Sequence, residues 1–223
     1  MENTQTHSRA SRAAVRNGVG VGVGVGTSGL AFGAAASAAG LSVAQACVLS
    51  LAAFTGASQF ALLGVVGAGG SLVAGASSAV LLGGRNALYG LRLSRLFGRG
   101  PRRLLAAHGV IDETTAVALG QPDPEASRTG FVATFATLYL VWNLSTLAGA
   151  FGAQWVSDPA AFGLDVVGPA AFLGLLWPRL AEGAAQRRVA LAAVVVAVAT
   201  TPFLPPGLPI MVAVVAVLAG VRR

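Results

Sequence analysis

The chain has 223 residues, of which 55% are hydrophobic and only 10% charged, with a formal net charge of +7. Soluble globular domains carry about 25% charged residues, so this composition excludes an ordinary water-soluble protein and, with a mean hydropathy of +0.73, points to a helical membrane protein. All 15 basic side chains are Arg; a phosphate-binding loop without its Lys is no ATPase, and arginines set beside apolar runs read as topology signals rather than as a nucleic-acid surface.

Residues 1–17 are polar, contain Arg9, Arg12 and Arg16, and are expected to form a disordered tail. The first apolar run, 18–40, opens on alternating Gly and Val. On a helix Gly18, Gly22 and Gly26 share one face and Gly20 and Gly24 another, both smooth enough for close helix packing. A basic tail, an apolar run and the small residues 34–39 also match a cleavable signal peptide, but further membrane segments of the same Gly/Ala character follow. Cys47, the single cysteine, lies in the second run, 41–68; it has no partner for an internal disulfide and reads as a small packing residue. His7 and His108 stand alone, without metal-ligand spacing, so neither a metal nor another cofactor is expected.

The third run starts at Ser71 and ends among Arg92, Arg95, Arg99, Arg102 and Arg103. Its Gly75, Ala79, Gly83 and Ala87 recur every four residues and form a packing stripe. Residues 98–128 are the longest hydrophilic stretch, a surface loop with short helix that carries Asp112 and Glu113. The fourth run, 131–155, holds Trp142, Asn143, Ser145 and Thr146. The fifth, 162–177, is opened by Asp165 and interrupted at Gly168-Pro169. Runs 189–203 and 210–221 flank a Pro-rich turn and are short for full crossings, which suits a hairpin.

The expected fold is an all-α polytopic membrane protein of about seven transmembrane segments, some broken or re-entrant. It divides into a tail (1–17), a first transmembrane unit (18–97), a cytoplasmic loop (98–128) and a second transmembrane unit (129–223). Arg-rich loops stay in the cytoplasm, which places 92–103, 179–188 and the C-terminus inside. Three crossings before residue 92 then put the N-terminus outside, against the rule for its three arginines; one re-entrant early run is the alternative. Ser28-Gly29-Leu30-Ala31 and Ser145-Thr146-Leu147-Ala148 are weakly alike, as expected of an inverted repeat in a transporter.

Two polar clusters interrupt the apolar runs. The first is Thr55-Gly56-Ala57-Ser58-Gln59, the second Gly83-Gly84-Arg85-Asn86. Lipid offers no hydrogen bonds, so broken backbone survives only inside protein or along a wet cavity, and transporters hold substrate on such breaks. Unwinding at Gly56-Ala57-Ser58 would aim free N–H groups and a positive dipole end at a carboxylate, with Ser58 and Gln59 adding side-chain bonds. The rival reading makes Ser58 and Gln59 helix-packing glue. Arg85 reads as a carboxylate clamp, as the partner of an acidic residue, or as a side chain snorkelling to the cytoplasmic surface. Asp165 reads as an ammonium contact or proton carrier, or as a helix N-cap. Pro169 would kink or break its helix. Asp112 and Glu113 would pair with Arg102 or Arg103 and gate the cytoplasmic mouth, or be ordinary solvated charges.

Phe54-Thr55-Gly56-Ala57-Ser58-Gln59-Phe60 resembles the AzlC-type branched-chain amino acid permeases. More of that pattern follows in order: Arg85 with Leu88-Tyr89-Gly90, Asp112-Glu113, Phe162-Gly163-Leu164-Asp165, Pro169-Ala170-Ala171-Phe172-Leu173 and the Leu-Pro hairpin to Ala219-Gly220. Where the family pattern has His before Leu-Tyr-Gly, this chain has Asn86. The resemblance implies the large subunit of a two-component exporter in the bacterial inner membrane, paired with a small hydrophobic AzlD-type subunit. It implies leucine, isoleucine, valine and in some cases methionine as substrates. The expected coupling ion is a proton, and no enzyme activity is expected, since no His/Glu metal set and no nucleophile–base pair stands out. The alternatives are the same fold exporting another small amphipathic solute, and a non-transporting scaffold subunit.

Overall fold

The computed structural model describes residues 2–98, 100–155, 167–205 and 208–219. Every regular element among them is helical. In chain order these are α1 (Glu2–Gly26), α2 (Gly29–Ala38), α3 (Val43–Ala52), α4 (Ala57–Gly67), α5 (Leu72–Gly83), α6 (Arg85–Leu93), α7 (Pro101–His108), α8 (Asp112–Leu119), α9 (Pro124–Ala153), α10 (Val167–Glu182), α11 (Ala184–Thr200) and α12 (Leu208–Val212), which runs on as a 3-10 helix, Ala213–Ala219.

Two described segments are long and apolar enough to cross a bilayer, Ser8–Ala38 (α1 with α2) and Pro124–Ala153 (α9). The second is 30 residues, roughly 45 Å at 1.5 Å per residue. Asp123 starts it, its carboxylate accepting the Ala126 N–H at 2.8 Å, with Pro124 in the first turn. Where about seven spans are expected, the described residues hold two full-length segments and a set of shorter apolar helices, of which α3 and α4 have 10 and 11 residues. The tail expected to be disordered is instead the amino half of α1, which begins at Glu2. It is held there by packing on α8 and α9, with Ala14 fully buried.

The two long segments pack on each other along a glycine seam. A methyl group at Gly22 or Gly26 would lie 2.7 Å from Cβ of Thr137 or Val141. At Gly29 and Gly33 it would run into the carbonyls of Trp142 and Thr146, and at Gly149 into that of Leu30. Only glycine admits so close an approach. The other face expected to pack, Gly20 and Gly24, has no described atom within 4 Å of either position. The two weakly similar segments meet across this seam.

Around the pair, α3 lies on α9, α4 pairs with α5, α8 sits against α9, α1 and α6, and α10 touches α2 and α4. In the α4–α5 contact Gly75 and Gly83 face α4, while Ala87 is exposed, so the expected stripe ends at Gly83. The main core joins Phe32, Phe54, Phe60, Leu63, Leu138 and Trp142. In contrast α11 has no buried residue, and Leu191, Val194, Val195 and Val198 are exposed.

Candidate functional site

The first polar cluster is a true break. Residues 53–56 leave the helical path between α3 and α4. Gly56 has φ +58° and ψ −90°, a left-handed conformation that a side chain would strain. The groups freed by the break are closed by side chains. Gln59 Oε1 accepts the Gly56 N–H at 3.1 Å and its Nε2 donates to the Leu49 carbonyl at 3.1 Å. Tyr139 donates to the Leu51 carbonyl at 3.2 Å, and His108 Nε2 lies 3.0 Å from the same oxygen. Thr55 Oγ1 donates to the Ala53 carbonyl at 3.2 Å. The polar backbone freed by the break is thus matched by dedicated partners.

On the amino side of α4 the accounting stays open. Gly56 accepts the Phe60 N–H, but no described side chain caps the amides of Ala57, Ser58 and Gln59. The first turn of a helix carries these orphan donors together with the positive end of its dipole.

That end opens on a cavity of about 530 Å³. Thr55, Gly56 and Ala57 form one wall, Asp112 and Glu113 another. The rest is largely apolar, with Phe60, Leu138 and Trp142 prominent. Trp142 stacks on Phe32, centroids 5.8 Å apart, and Phe60 meets both rings edge-on.

Of the residues expected to bind substrate, Thr55, Gly56 and Ala57 line this cavity. Gln59 is 1% exposed and spends its amide on the break. Ser58 is buried at the α4–α5 contact, where a methyl at Gly83 would lie 3.0 Å from its hydroxyl; both side chains hold helices together. Arg85 and Asn86 are not in the lining, and Asn86 Oδ1 is buried without a partner among the described residues. Asp165 lies outside the described residues.

The second cluster behaves differently. Gly83 closes α5, Arg85 opens α6, and Gly84 between them keeps helical dihedrals of φ −54° and ψ −28°. The expected second break is a one-residue irregularity, because glycine permits a bend but does not impose one. Arg85 pairs with Asp112 at 2.5 Å. This corrects the expected pairing of Asp112 with Arg102 or Arg103: the amino end of α8 lies against α6, while both loop arginines are exposed. Glu113 is mostly buried, and that burial pushes its carboxyl above the usual range; Asp112 adds to the rise, and its own backbone N–H and Arg85 oppose it. Pro169 falls in the first described turn of α10, where a proline needs no broken helix. Two later residues of α10, Ala170 and Gly174, reach the cavity.

Sequence reasoning missed Trp142 and Phe60 as cavity wall, and His108 and Tyr139 as partners of the break. Spacing along the chain carries no signal for such contacts, since His108 and Leu51 are 57 positions apart.

The model of the family described as AzlC protein matches residues 20–156, more than half of the chain. The chain belongs to the AzlC family. The matched span runs from the glycine seam through the break, Arg85, Asp112 and Glu113 to the end of α9. The C-terminal motifs that resemble the family lie beyond it. No curated protein and no solved structure gives a significant match. Membership of the AzlC family makes this a membrane transporter-type subunit.

Proposed function

We propose that the chain is the large subunit of a multi-pass exporter that moves branched-chain amino acids across the bacterial inner membrane. It would work with a small hydrophobic AzlD-type partner and draw on the proton gradient. The observation that carries this reading is the cavity at the break. Its size falls in the range of roughly 300–1,000 Å³ typical of small-molecule sites, and its lining matches an amino acid in three parts. The open amides of α4 suit the carboxylate, Asp112 and Glu113 suit the ammonium group, and Phe60, Leu138 and Trp142 suit a branched apolar side chain. A site that offers both donors and acceptors to a zwitterion discriminates far better than an apolar pocket alone.

Arg85 serves this site at one remove, by neutralising Asp112. Gln59 serves it by holding the break in shape. The test is efflux of labelled valine and leucine from vesicles carrying the chain with its small partner. Efflux above that of vesicles lacking the chain is expected. Unchanged valine and leucine fluxes would refute this substrate assignment and favour another amphipathic solute.

A further inference from the structure

We propose that Glu113 is an exchange site, at which a proton and the ammonium group of the transported solute compete for one carboxylate. The inference rests on the amino-acid reading of the cavity given above.

Two adjacent acids line the same wall and have different fates. Asp112 is neutralised by Arg85. Glu113 has no ion-pair partner among the described residues, yet it stands on the first turn of α8 at the cavity, largely withdrawn from water. The charged groups that act on it are Asp112 on its own helix and Arg85 on α6. From α1 and α9, which also pack on α8, the cavity receives apolar groups such as Val25, Leu138 and Trp142, and among the described residues no charged side chain of either helix acts on Glu113.

A buried carboxylate without a countercharge takes up a proton. Burial does raise the proton affinity of Glu113. Arg85 opposes that rise but is paired with Asp112; an ammonium group entering the cavity adds a second positive charge and favours the ionised form. Each ligand therefore expels the other, by the reciprocity that binds any two ligands of one site. In one exchange the carboxyl proton leaves to cytoplasmic water and the ammonium group takes its place. An external proton later displaces the ammonium group outward. A zwitterion carries no net charge, so each cycle moves one positive charge inward against one solute outward. Solute binding tightens as pH rises through the raised Glu113 value.

The test uses the full chain in lipid vesicles, as wild type and as Glu113→Gln, with infrared difference spectra of the protonated carboxyl group. Isobutylammonium, which has the amine and the branched chain but no carboxylate, is the first probe; valine is the second. Wild type is expected to show a carboxyl signal that Glu113→Gln lacks. Isobutylammonium should abolish it, moving its midpoint down by about one pH unit per tenfold excess over Kd, as single-site competition requires. Binding of the probe to Glu113→Gln should be weaker and independent of pH. Absence of a Gln-sensitive signal, or a signal that the amine leaves unmoved, overturns the proposal. If Glu113→Gln does not fold, Glu113→Asp replaces it. That variant should keep a displaced, amine-sensitive signal, and an insensitive one is equally fatal. Displacement by isobutylammonium but not by valine upholds Glu113 and refutes the amino-acid reading instead.

Discussion

Two polar interruptions in successive apolar runs have opposite structures. At 53–56 the helix unwinds, Gly56 turns left-handed, and Gln59, His108, Tyr139 and Thr55 engage the freed backbone. At Gly84 the backbone stays helical, and the polar residue that follows, Arg85, engages an acid on another helix. The lesson is that a Gly pair weakens a helix without breaking it. A break needs groups nearby that replace the lost hydrogen bonds. Gln59 supplies them within four residues of Gly56; Arg85, a donor only, sends its charge elsewhere.

The comparison can be broken most severely at Gly56. Gly56→Val should destabilise the protein by about 2–3 kcal/mol, the cost of forcing a branched residue into such backbone, and abolish transport; unfolding in detergent and vesicle flux read the two effects. Gln59→Leu comes next. It leaves the Gly56 N–H unpaired and removes one of two donors from the Leu49 carbonyl, for a loss of about 2 kcal/mol. Gly84→Ala should do the reverse. Its dihedrals suit alanine, so the same assay should show a gain of up to about 1 kcal/mol. The smallest effect belongs to the Arg85–Asp112 pair, which is about a third exposed on each side. A double-mutant cycle with Arg85→Met and Asp112→Asn should give a coupling in stability below about 1 kcal/mol, while flux falls in both single variants.

Acidity separates the two regions as well. The Glu113 carboxyl is raised in the folded chain, so its contribution to stability is full below its ordinary unfolded value and is lost as pH rises through the raised one. Melting temperature followed across that window should fall more steeply for wild type than for Glu113→Gln. Parallel slopes would show that Glu113 is not held in that state.

Much of this was legible in the sequence for identifiable reasons. Helical membrane character follows from uncharged runs, and the Gly18–Gly22–Gly26 seam from a four-residue period that places small residues on one face. The break was legible because Gly stands beside Ser and Gln in an apolar run. The Arg85–Asp112 pair was not, since it depends on how the hydrophilic stretch folds back against α6. Nor was the split between Thr55, Gly56 and Ala57, which line the cavity, and Ser58 and Gln59, which hold helices. One helical turn separates these roles, and the cluster carries no periodic pattern to sort them. The helical tail was not legible, because its polar sequence carries no sign of α8 and α9, the surfaces that bury Ala14.

The central claim, that an amino acid docks against the open end of α4, is tested most directly by protection from labelling. Ala57→Cys in a Cys47→Ser background places the only thiol at the cavity wall. Leucine or valine should slow its reaction with a maleimide in a saturable manner, and a labelling rate indifferent to both would contradict the account.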